Sequence, residues 1–148
     1  MKRFSFSMEK VLSLRKYREQ ETKIDLGRAV GALAEIENNI RRTAESRLHA
    51  ARERFSDGNG AADILAWDNY ITRLDREAEK LMEDAAKAET IVEEKRGLYL
   101  EASRERKVIE KLKEKREKEY RREAFAEETK ELDDIAGAAR AERIKGGL

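Results

Sequence analysis

The stretch WDNYITRLDREAEKLMEDAAKAETIVEEKRGLYLEASRERKVI, residues 67–109, decides the fold. Its core positions step by 4, 3, 4, 3 without a break: Trp67, Ile71, Leu74, Ala78, Leu81, Ala85, Ala88, Val92, Lys95, Tyr99, Ala102, Arg106 and Ile109. A hydrophobic period of 3.5 keeps one stripe of a helix turned toward a partner helix, so these six heptads read as one strand of a coiled coil. The helical character extends on both sides, from Ala61 to about Ala139, without proline and with Gly97 as the one glycine before Gly137. At 1.5 Å per residue this helix is roughly 120 Å long.

Composition supports long helices over a globule. The 148 residues allow one ordinary domain, yet 44% are charged and the mean hydropathy is −0.88, which leaves too little apolar surface for a thick core. Lys and Arg number 33, Asp and Glu 32, a net charge of +1. A general nucleic-acid binder carries a basic excess, so that class is disfavoured. Absence of cysteine excludes disulfides and thiol chemistry and fits a reducing cytoplasm. The opening run from Met1 to Ser7 leads into a charged helix without the apolar core of a signal peptide, and no run approaches the ~18 apolar residues of a membrane span.

Working back toward the N-terminus, a first helix is expected over 7–56. Ser5 or Ser7 can cap it, with Glu9 in the first turn. Phe4 and Phe6 then either staple onto that turn or form an exposed anchor. Apolar residues follow at Met8, Val11, Leu14 and Tyr17. After a polar gap they resume at Leu26, Val30, Leu33, Ile36, Ile40, Ala44, Leu48, Ala51 and Phe55, near the 3.6 period. Gly27 and Gly31 fit close approach of the opposite helix, with a flexible joint as the alternative.

Ser56-Asp57-Gly58-Asn59-Gly60 is the clearest break, and residues 57–60 are expected to turn the chain back. Asp57 or Asn59 can cap the second helix, expected over 61–140 with a frayed tail at 141–148. So short a turn makes the helices antiparallel neighbours. The fold class is therefore all-α: a single antiparallel two-helix coiled-coil hairpin whose second helix is much the longer. Facing residues sum to about 117, so the first helix is used up near residues 110–113 of the second. Residues 113–140 are left as an overhang that still carries Leu112, Tyr120, Ala124, Phe125, Leu132 and Ile135 at helical spacing. An isolated amphipathic helix needs a surface to cover such a stripe, so this end reads as a partner-binding tip or a self-association surface.

Charge is banded along the same helix. Residues 104–123 hold ten basic and six acidic side chains. Lys107, Lys111, Lys115, Lys118 and Arg122 form one row, while Glu114–Lys118 and Glu117–Arg121 are supporting pairs at i, i+4. Such a row is either a plain solvated face or a site for an acidic partner. Residues 127–134 are acidic. Catalytic signals are missing: His49 is the single histidine, the carboxylates lie on a thin helix pair, and Gly58-Asn59-Gly60 lacks the sequel of a phosphate loop. No enzyme, cofactor, metal or small-molecule substrate is expected.

The whole plan resembles the FliJ family of the flagellar type III export apparatus. The resemblance rests on helix lengths, the Gly-Asn-Gly turn and three local matches. These are Phe4-x-Phe6-x-Met8-Glu9-Lys10-Val11-Leu12-x-Leu14-Arg15; Arg104-Glu105-x-Lys107 with Glu110-Lys111-Leu112; and Lys130-Glu131-Leu132-Asp133-Asp134-Ile135-Ala136. It implies a hairpin similar to the gamma stalk of rotary ATPases, whose end bearing both termini enters the ring of the hexameric flagellar export ATPase. It also implies contact with the cytoplasmic linker of the export-gate membrane protein and escort of export chaperones. Location would then be cytoplasmic, held peripherally at the inner face of the cell membrane through protein partners.

On this resemblance and the overhang together, the expected ring-binding residues are Lys111, Leu112, Lys115, Tyr120, Phe125, Lys130, Leu132, Asp133, Asp134 and Ile135. Tyr70 and Leu74 match the family's gate-contacting pair. Asn38, Arg42, Glu45 and His49 depart from it, standing where the family can be more apolar. The alternative reading is a structural spacer or scaffold that homodimerises through its C-terminal overhang.

Overall fold

The computed structural model describes residues 2–147. Two helices, α1 (Glu9–Glu53) and α2 (Ala61–Gly146), pack against each other as a hairpin, the second much the longer. Contacts divide the chain into two compact units: Arg18–Ala102, which holds the turn, and Met1–Tyr17 with Ser103–Leu148, which holds both ends.

The caps differ from expectation in an instructive way. Asn59 serves the end of α1, not the start of α2. The Glu53 carbonyl accepts from Asn59 Nδ2 at 2.8 Å, from the Ser56 hydroxyl at 2.9 Å and from the Ser56 N–H at 3.1 Å. These donors satisfy a carbonyl left over at the helix end, and α1 stops at Glu53 instead of residue 56. Gly58 takes the left-handed conformation the reversal needs, with φ 91°. Gly60 then begins α2: its N–H donates to Asp63 Oδ2 at 3.0 Å, one half of a capping box. At the other end α2 continues to Gly146, through most of the expected frayed tail. Ala136, Ala138, Ala139 and Ala141 are strong helix formers, and Arg143 and Lys145 suit the C-terminal dipole.

In the unit that holds the turn, α2 presents the stripe its spacing predicts. Leu74, Ala88, Val92 and Ala102 are buried, and Trp67, Ile71, Ala78, Leu81, Ala85, Lys95 and Tyr99 are half-buried. The register holds as well: His49 meets Trp67 edge-on at 6.4 Å, and Arg47 bonds Asp75 at 2.5 Å, sums of 116 and 122.

α1 departs from its expected stripe. Val30, Leu48 and Phe55 are exposed, as is Ala44. The buried or half-buried row is Thr22, Leu26, Ala29, Leu33, Ile36, Ile40, Thr43, Ser46 and Ala50, which follows 3- and 4-residue steps. Its polar and small members allow close approach of the α2 backbone. Gly27 and Gly31 lie outside that row. A Cβ built on either meets nothing within 4 Å, so neither serves helix contact.

Two exposed helical glycines with open space around them weaken α1 without return. Gly27→Ala and Gly31→Ala should each stabilise the protein by about 0.5–1 kcal/mol. Urea unfolding followed by helical circular dichroism measures this; destabilisation by either alanine would contradict the open placement.

Candidate partner-binding surfaces

In the unit that holds both chain ends, the N-terminal segment does more than precede a helix. Glu9 N–H donates to the Phe6 carbonyl at 3.1 Å, so α1 starts at Glu9 and residues 2–6 remain outside helical structure. This segment lies as a strap beside α2 from Lys113 to Tyr120.

These residues carry the antiparallel pairing on along α2, nearly residue for residue. Lys113 pairs with Glu9 at 2.9 Å, Arg116 donates to the Ser7 hydroxyl at 3.1 Å, and the Tyr120 hydroxyl donates to the Lys2 carbonyl. Phe6 is buried, 8% exposed, with the Arg116 guanidinium 5.9 Å from its ring centre. Phe4 packs on Tyr120 with centroids 5.5 Å apart. Ser7 thus serves Arg116, and both phenylalanines lie against α2 as neither a first-turn staple nor an exposed anchor.

This strap corrects the expected overhang. Coverage of α2 does not end near residue 113. It reaches a hollow of about 510 Å³ lined by Lys2, Tyr120, Glu123, Ala124 and Glu127. Leu12, the most deeply buried large side chain at 1% exposure, anchors the start of α1. Its place in the row was hidden because its neighbours there are Arg15 and Glu19, which carry no apolar signal. Arg15 is held by Glu105, and Arg106 by Glu110.

Beyond the strap the side chains of α2 are open. Phe125, Leu132, Ile135 and Ile144 are 73%, 66%, 66% and 72% exposed. Lys111, Lys115, Lys130, Asp133 and Asp134 are exposed, while Leu112 is half-buried. Tyr120 stands apart from the other expected ring-binding residues, since the strap already occupies it. Glu117–Arg121 forms at 3.5 Å. Glu114–Lys118 does not appear among the ion pairs of the described residues.

The turn-bearing unit offers a second surface. His49, Ala66, Trp67 and Tyr70 line an apolar groove of about 390 Å³, with the Trp67 and Tyr70 centroids 6.1 Å apart. Tyr70 also borders the next groove, where Asn39, Arg42, Thr43, Ser46, Leu74, Glu77 and Leu81 meet. Leu74 is 6% exposed and forms the floor, while Tyr70 is half-buried at the rim with Arg73 5.2 Å from its ring. Asn38, Arg42, Glu45 and His49 are all exposed. Nearby, the hydrogen bond and charge of Asp75 push Arg47 further above its ordinary range.

These features define a class: an antiparallel helical hairpin that works through exposed surfaces and shallow grooves. The family model described as Flagellar FliJ protein matches residues 4–144, and the chain belongs to that family. Membership makes it a protein of flagellar export. Neither the curated proteins nor the solved structures give a match. No helix among the described residues is long and apolar enough to cross a membrane.

The strap makes a measurable contribution. Phe6→Ala should cost on the order of 3 kcal/mol, and Tyr120→Phe about 1 kcal/mol through the lost hydrogen bond. Amide exchange should quicken at residues 9–12 and 113–124 in both variants; unchanged protection would mean the strap does not hold this end together.

Proposed function

We propose that the chain is the stalk-like component of the export machinery. Its end that carries the strap and the open part of α2 binds the ring of the hexameric export ATPase. The observation that carries this reading is the exposed apolar stripe of Phe125, Leu132 and Ile135 on a part of α2 that nothing among the described residues covers. Lys130, Asp133 and Asp134 flank the row and supply polar contacts, and Lys111, Leu112 and Lys115 extend the surface toward the strap. Tyr120 acts from beneath by fixing the strap. A pair of helices presents different side chains in each direction, so it meets the subunits of a ring unequally and biases ring assembly and nucleotide turnover.

Contact with the cytoplasmic linker of the export gate falls to the rim formed by Tyr70 over Leu74. Two grooves meeting at one half-buried aromatic support this assignment. Export chaperones are further protein partners on this reading, and location at the inner membrane face follows from the gate contact.

Two measurements test these assignments separately. Leu132→Ala with Asp133→Ala should weaken ATPase binding roughly tenfold or more, about 1.4 kcal/mol, and abolish stimulation in an ATPase titration. Wild-type binding and stimulation by that double variant would refute the ring assignment. Tyr70→Ala should lose binding to the isolated gate linker while still stimulating the ATPase; retained linker binding would remove the gate assignment alone.

A further inference from the structure

One face of α2 is wholly cationic. Arg104, Lys107, Lys111, Lys115, Lys118 and Arg122 step by 3, 4, 4, 3 and 4, so they share one side of the helix. All six are exposed. Four acids nearby are taken by other cations: Glu105 by Arg15, Glu110 by Arg106, Glu117 by Arg121 and Glu9 by Lys113, while Glu114 and Glu119 stand exposed at its two edges. Among the described residues, no ion pair includes any member of the row. Like charges at i, i+4 repel, so the row opposes helix stability, and among the described residues no ion pair to it relieves that repulsion.

The kind of partner follows from what the row lacks. It runs for roughly 27 Å with no acid within it to set a register. Between Arg104 and Arg122 Val108 is the one large exposed apolar side chain beside it, with Leu100 and Phe125 only at its two ends, so a partner helix finds no continuous seam there. A nucleic-acid strand finds no aromatic side chains between the cations to stack on, and following the helix it would meet Glu127, Glu128 and Glu131. A plane of negative charge suits a uniform row in any register. Phe125 lies five turns beyond Lys107 on the same side of α2, 73% exposed, where an aromatic ring can enter a headgroup layer.

We propose that this face of α2 docks directly on an anionic lipid surface, with the six cations over the headgroups and Phe125 inserted at one end. The protein then meets the membrane by its own side chains as well as through partners. Lys111, Lys115 and Phe125 also stand in the ring reading, but the lipid contact does not rest on it.

The test is co-flotation of the full chain with vesicles and no ATPase present. Vesicles of phosphatidylcholine with about one-third phosphatidylglycerol should carry the protein at low salt and release it as salt rises; pure phosphatidylcholine should not. A variant with Lys107→Gln, Lys111→Gln, Lys115→Gln and Lys118→Gln should partition several-hundred-fold less, at roughly fivefold per charge. A matched variant with Lys16→Gln, Lys23→Gln, Lys80→Gln and Lys87→Gln loses the same net charge and should partition like the wild type. Phe125→Ser should weaken binding several-fold, with helical circular dichroism confirming that each variant folds. Equal flotation on both vesicle types, equal loss in the matched variant, or tighter binding to a DNA duplex than to the anionic vesicles at the same salt would each overturn the proposal.

Discussion

Two helices packed together can each bury a single stripe, and every other property of this chain follows from that constraint. The buried apolar side chains are small or widely spaced: Ala50, Ala88 and Ala102, with Leu12, Leu74 and Val92 between them. Alanine in the stripe lets the backbones approach, so contact area comes from proximity and not from bulk. The remaining faces are solvent-exposed, which is why a chain with 44% charged residues still folds. It is also why large apolar side chains such as Leu14 and Val108 can stand in solvent without marking a defect.

How far the fold can be read from sequence depends on which helix is read. In α2, apolar and small residues occupy nearly every position of the stripe from Trp67 to Ile109, and each of those positions is buried or half-buried. In α1 the stripe passes through Arg15, Glu19, Thr22, Thr43 and Ser46, while Tyr17, Val30, Leu48 and Phe55 point outward. Counting apolar residues there mixes two sides: Leu26, Leu33, Ile36 and Ile40 lie on the buried row, while Val30, Ala44, Leu48 and Phe55 do not. Polar residues tolerate the stripe because a thin pair leaves their heads within reach of water or an opposite charge, as Arg15 finds Glu105. Gly27 and Gly31 mislead for the same reason: a small residue signals close approach only if it lies on the stripe.

The overhang shows a different kind of limit. Pairing counted only from the first helical residue stops too early. Residues ahead of α1 carry it on, since Lys113 meets Glu9, Arg116 meets Ser7 and Tyr120 meets Lys2. Phe4 and Phe6 carry the signal, being two aromatic side chains placed before the first helical turn, but only their contacts on Arg116 and Tyr120 reveal what they cover. The open part of α2 is shorter than helix pairing alone implies, and its start is set by where the strap ends.

A net charge of +1 conceals how these charges are sorted. Cations that meet a partner inside the hairpin, such as Arg15, Arg54 and Lys113, lie beside the stripe and fix register. Among the described residues those of the row from Arg104 to Arg122 form no ion pair, and acids gather further along at 127–134. Random exposure would mix the two signs along each face, since alternating charges at i, i+4 support a helix. Segregation instead works against α2 in isolation. On the proposed lipid surface, relief of that repulsion would supply part of the binding free energy.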